Sequence, residues 1–296
     1  MNIIKTPLYL FNSFEVFWNK KNTQRVISLL LAIVFLGGLL IIELNIRGLL
    51  PSKLSQIIPL NHFQAVALAF YLLLVTEIIS LILLMGESVT SSVGKELEIL
   101  ALIMLRNAFK TLGEMQEPID PSLDIVLLSS IVASCIAAVI IFICSSAYVH
   151  IQQYSYPVPG DGQKNPIYDG AKKFTALALL SLFLFDGFSH LGALVMGSES
   201  LAAQASFFAR FYTLLIFADL FLLLASEGCG HNPILLFRNS GYTAGALFMR
   251  MALGAPHFWD AALGVFAALY ILAISYAVKR LWIQRSQKQE KANLNE

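Results

Sequence analysis

The chain is predicted to be all-α, a polytopic transmembrane helical bundle of about eight spans arranged as two parallel four-helix repeats. Three observations predict this. The 296 residues are 57% hydrophobic and only 13% charged, where a soluble domain carries about 25% charged residues. The apolar residues gather in runs of roughly membrane-crossing length, about 20 residues each. The polar residues inside those runs recur at a nearly constant spacing.

Residues 1–25 are expected to form an interfacial helix. Phe11, Phe14, Phe17 and Trp18 make an aromatic face, and Lys20, Lys21 and Arg25 follow it. That combination suits the membrane–water boundary. No small-residue cleavage site follows the first apolar run, so no cleavable leader is expected. Six runs then predict spans directly: 26–44, 65–85, 125–149, 174–196, 207–226 and 259–278. Two further segments are long enough but carry charge. Residues 89–112 hold Lys95, Glu96, Glu98, Arg106 and Lys110, and residues 234–253 hold Arg238 and Arg250. A lone Arg at the centre of a span costs about 2.5–3.5 kcal/mol on insertion scales, so each needs a counter-charge or a place off the bilayer axis.

Loop charge favours eight crossings with both termini cytoplasmic. On that topology 14 of the 20 Lys and Arg fall on the inner side, while the outer loops keep only Arg47 and Lys53. Cytoplasmic loops carry such an excess of Lys and Arg. The Pro- and Gly-rich stretch 151–173 divides the chain. The predicted organisation is therefore an interfacial helix (1–25), a first four-helix repeat (26–150), a cytoplasmic linker (151–173), a second repeat (174–280) and a basic cytoplasmic tail (281–296).

The repeat is written in charges. Glu43 and Asp186 lie 143 positions apart, Glu77 and Asp219 142, Lys95 and Arg238 143, and Arg106 and Arg250 144. Asp124 and Asp260, each opening a fourth span, are 136 apart across a shorter loop. Four spans per copy give both copies the same orientation, related by an axis along the membrane normal. Ionised groups in a bilayer face the bundle interior and meet a partner. Two layers of pairing are expected in each copy. Arg106 and Arg250 would meet outer carboxylates from among Glu43, Asp186, Asp124 and Asp260. The inner cations Lys95 and Arg238 would meet Glu77 or Asp219.

Asp219, Pro233, Arg238, Arg250 and Asp260, with the acid-and-His element Asp186 and His190, resemble the pattern of the phosphate-starvation-inducible PsiE family. The likeness covers roughly residues 174–285. The first half shares it only through Glu77, Lys95, Arg106 and Asp124, has Lys95 where the second has Arg238, and lacks the Pro. The resemblance implies a bacterial inner-membrane protein with four spans per copy, and implies no molecular activity.

Two functional readings follow. Buried acid–base pairs fix helix register and packing, in a protein with a regulatory or stress-related role. Alternatively, the same groups carry protons or ions through the bundle interior. Catalysis is not expected. HExxH, GxSxG and Walker patterns are absent, and the i, i+4 pair Asp186 and His190 lacks further ligands. Cys135, Cys144 and Cys229 form no CxxC, so neither a zinc site nor a disulfide framework is predicted. No cofactor is expected. The partner is the lipid bilayer, with a homo-oligomer or membrane partner left open. A net charge of +1 gives no surface for nucleic acid.

Overall fold

A computed structural model describes residues 5–51, 55, 58, 60–115, 124–153, 166–195, 202–227 and 233–293, with some side chains near helix ends outside that description. It is all-helical. In chain order the helices are α1 (Lys5–Trp18), α2 (Lys21–Ile46), α3 (Phe63–Leu84), α4 (Val89–Leu112), α5 (Ile125–Gln153), α6 (Pro166–Val195), α7 (Ala202–Glu227), α8 (Pro233–Gly254) and α9 (Trp259–Asn293).

Five of the described helices, α2, α3, α5, α7 and α9, are long and apolar enough to cross a membrane. Their composition explains why they are helical in lipid, where every backbone N–H and C=O must be satisfied within the segment. The charged helices α4 and α8 are not among the five, yet they lie deepest in the bundle. Each is flanked by its neighbours in sequence: α3 and α5 pack on α4, and α7 and α9 pack on α8. At about 1.5 Å per residue, α4 and α8 are roughly 36 and 33 Å long, enough for a hydrocarbon core of about 30 Å.

The boundaries differ from expectation in three places. The predicted linker 151–173 is shortened from both sides, because α5 runs on to Gln153 and α6 begins at Pro166; the middle of the linker lies outside the described residues. The tail predicted from 281 is helical to Asn293 as a continuation of α9. The aromatic face of α1 turns partly into the protein. Phe11 is buried against α3 and α6, and the Trp18 indole N–H donates to Ser80 Oγ at 3.1 Å.

Two apolar cores result. One gathers α4, α5, α8 and α9 around Leu97, Met104, Ile141, Met249 and Ile271. The other gathers α1, α3, α6 and α7 around Phe11, Ile82, Phe183, Phe211 and Leu215. Lipid offers no hydrophobic drive between helices, so close approach through small residues and interhelical hydrogen bonds must hold them. Ala137, Ala138, Ala267 and Ala268 are small residues of this kind in the first core. Glycines 241 and 245 let α8 close on Ile274 and Ile271 of α9. By contrast α2 is peripheral, and Val26, Leu29, Leu30, Ile33, Leu36 and Leu40 face outward. Only Gly38 of its glycine pair makes a close approach, where an added Cβ would lie 3.2 Å from Ala65 Cβ.

The halves of the chain meet through α5 on α9 and α4 on α8. Polar bonds flank this joint, and one of them, from Gln152 to Tyr242, crosses it. The Tyr148 hydroxyl donates to the Thr90 carbonyl at 2.8 Å, and Ser145 donates to the Gly94 carbonyl at 3.3 Å. Gln152 donates to the Tyr242 hydroxyl at 2.8 Å, which also bonds Ser275 at 3.0 Å. Tyr148→Phe removes one of these bonds, and interhelical bonds in membranes average about 0.6 kcal/mol. The variant is expected to fold normally and to melt only slightly earlier in detergent, as thermal unfolding would show.

Candidate functional site: a buried ion cluster between two polar clefts

Membrane-buried charge concentrates where α4, α7 and α8 converge. Arg250 of α8 is 1% exposed and ranks with the largest fully buried side chains of the described protein. Its Nη2 lies 3.3 Å from Glu96 Oε2 on α4, and its Nε lies 3.5 Å from Asp219 Oδ2 on α7. Glu96 and Asp219 are themselves 6% and 12% exposed at the side chain. These separations exceed the 2.7–2.9 Å of a tight charge-assisted hydrogen bond. Accordingly Glu96 Oε2, Asp219 Oδ2 and both Arg250 nitrogens are buried without a hydrogen bond. The other titratable neighbour of Arg250 is the Tyr212 hydroxyl.

A second ion pair is differently built. Arg106 of α4 contacts Glu77 of α3 directly, and the side chains are 29% and 8% exposed. Glu77–Arg106 and Asp219–Arg250 occupy positions that correspond at the spacing of 142–144 residues. Each ties the second span of its half to the charged helix. The difference lies in the third member. Glu96 has Asn239 at the 143-residue spacing. Arg106 meets one carboxylate, and Arg250 meets two.

Several expected pairings are corrected. Arg250 and Arg106 do not take the outer carboxylates; they take Asp219 with Glu96, and Glu77. Glu43 bonds its own helix through Arg47 at 2.6 Å and reaches His62 at 3.3 Å. Asp186 is exposed, beyond Phe183, the last buried side chain of α6 among the described residues. His190 is on α6, with its side chain outside the described residues. Asp124 sits half-buried just before α5, where its main-chain carbonyl accepts from Leu128 N–H. Asp260 opens α9 and accepts from Ala261 N–H at 2.7 Å and from Asn107 at 3.4 Å. Lys95 does not reach Glu77 or Asp219. Its neighbours Gly94 and Glu96 face the interior, so Lys95 points outward and binds Glu87 at 2.6 and 2.8 Å. Arg238 is buried at the opening of α8, beside Asn239 at 3.5 Å and within electrostatic reach of Tyr148.

Glu96 is the member that charge matching between the halves did not single out, since it has no charged counterpart. Its signal was available as the one carboxylate in 89–112 that shares a helix face with buried Leu100 and Val93, at spacings of four and three.

One cavity reaches the cluster, and a second, lined by none of its three members, lies toward the opposite end of the bundle. One, of about 60 Å³, is lined by Glu96 and Asp219 together with Ser92, Lys172, Asn239 and Thr243, near the start of α4 and α8. The other, of about 180 Å³, is lined by Asn107, Lys110, Glu114, Tyr212, His257 and Asp260, near the end of α4 and α8. A buried water needs about 10–15 Å³ of such space and two to four polar partners, so both can hold several waters. Among the described residues no group of His, Cys, Asp and Glu is arranged to hold a metal ion. No family model, no curated protein and no solved structure matches the chain, so the PsiE resemblance stands on its own residues alone.

Proposed function

We propose that the chain is an eight-span membrane protein that binds and passes protons across the bilayer at Glu96, Asp219 and Arg250. One observation carries this reading. A nearly buried cluster holds one guanidinium against two carboxylates. An uncompensated charge in such a place is costly, and a proton shared with the cluster restores neutrality. Because Glu96 and Asp219 line a polar cleft, that proton can be exchanged with water. Glu77–Arg106, balanced one to one, needs no such proton and serves packing. The first-half pair thus fits the structural reading of the buried charges, and the second-half cluster fits translocation. The eight crossings rest on the five apolar helices, on α4 and α8 being flanked by helices that are apolar enough to span, and on the apolar run of α6. The two copies rest on the matched positions of the two ion pairs, and cytoplasmic termini rest on loop charge.

The test is proton flux in liposomes under an imposed pH gradient. Wild type and Glu77→Gln are expected to pass protons. Glu96→Gln and Asp219→Asn are expected to fold, since Arg250 keeps one carboxylate in either, and to lose the flux. Wild type with no more flux than empty liposomes would leave the charges as packing devices only.

A further inference from the structure

We infer that Tyr212 is the barrier that closes the cluster off from the outer cavity, so that the structure is a one-sided, inward-open state of an hourglass path. This inference rests on the proton-passing reading for its purpose, and on geometry alone for its layout. The two cavities share no lining residue, and both draw on α4, α7 and α8. Along α7 the cleft side ends at Asp219 and the outer side ends at Tyr212, about 10 Å apart at 1.5 Å per residue. Along α8 the limits are Ala246 and Leu253, again about 10 Å apart. Along α4 the limits are Glu96 and Asn107, about 16 Å apart, so a hydrocarbon core of about 30 Å is thinned to about a third to a half at this point. Arg250 lies inside that interval.

Access is unequal. Glu96 and Asp219 line the cleft at the start of α4 and α8, and neither lines the outer cavity. Tyr212 alone among the titratable neighbours of Arg250 lines the outer cavity, and it is 4% exposed. Its ring is packed beside Phe208, Phe211 and Leu215 in the second apolar core. A phenol there blocks water while offering a hydroxyl to the guanidinium side. Passage outward then requires this ring to move. The facing groups are Asp219 from α7, Arg250 from α8 and Glu96 from α4 inward, with Lys110, Glu114, His257 and Asp260 outward.

Sealed vesicles carrying the full chain, with Cys135, Cys144 and Cys229 replaced by Ala, give the test. A membrane-impermeant maleimide is applied to one face at a time. Thr243→Cys should label from one face and Thr111→Cys from the other, a result that does not depend on flux. Ala246→Cys should label from the Thr243 face alone. Adding Tyr212→Ala should raise its labelling from the opposite face at least about tenfold, as expected when a minor open state of 10% or less becomes the major one. Tyr212→Phe, which keeps the ring, should leave that labelling as in the parent. Labelling of Thr243→Cys and Thr111→Cys from the same face would overturn the two-cavity layout. Unchanged labelling of Ala246→Cys in a folded Tyr212→Ala variant would overturn the gate. If labelling behaves as expected and wild type carries no proton flux, the layout stands and the proton-passing reading alone fails.

Discussion

Arg250→Gln is expected to be the most damaging single substitution in the bundle. It leaves Glu96 and Asp219 close together and almost wholly buried, with no counter-charge. Removing one partner of a buried ion pair destabilises by about 3–5 kcal/mol, a large share of a typical stability of 5–15 kcal/mol. Folded yield and thermal unfolding in detergent should both fall sharply. Adding Glu96→Gln and Asp219→Asn to Arg250→Gln should recover much of the loss, because three neutral groups carry no uncompensated charge. Arg106→Gln should lose less, since Arg106 is already 29% exposed. Equal losses for Arg250→Gln and Arg106→Gln, or no recovery in the triple variant, would argue that burial of the cluster is not what makes Arg250 matter.

The second large effect is steric. A Cβ at Gly245 would overlap Ile271 Cγ1 and lie 2.8 Å from Cδ1. The clash involves an atom near the Ile backbone, so the side chain cannot swing clear, and α8 must move away from α9. Overpacking of this kind costs about 1–3 kcal/mol. Gly245→Val should therefore melt early, and Ile271→Ala in the same chain should return part of the loss by making room. Gly37→Val is the matched control, because a Cβ there meets nothing within 4 Å. A double variant no more stable than Gly245→Val would show that the cost comes from somewhere other than this contact. Any shift in α8 also moves Arg250, so Gly245→Val should impair proton passage beyond its effect on folded yield.

The membrane-helix character was legible because it is a property of composition. Runs of apolar residues with few charges leave no alternative in lipid. Helix ends were less legible. Gln153 and Pro166 border a linker rich in Pro and Gly, and nothing in composition says how far a helix extends into it. Charge placement was legible in part. That Glu77 and Asp219 are buried followed from their mid-span positions. Which cation each meets did not, because pairing depends on helix rotation and on which helix lies alongside. Lys95 and Glu96 are adjacent, yet one reaches Glu87 at the surface and the other reaches Arg250 in the core. A rotation of 100° per residue separates their fates. Searching for charges shared by the two halves singled out Glu77 and Arg106 but gave each another partner. It passed over Glu96, whose place opposite Asn239 is where the halves differ.

The central claim is that the three-member cluster holds an exchangeable proton. Infrared difference spectroscopy on the full chain in lipid at neutral pH reads this directly, through the carbonyl stretch of a protonated carboxyl group and its shift in deuterated water. Wild type is expected to show such a band, retained in Glu77→Gln and lost when Glu96→Gln and Asp219→Asn are combined. A wild-type protein without the band, or with a band that survives that double substitution, would contradict it and leave Arg250 as a packing device.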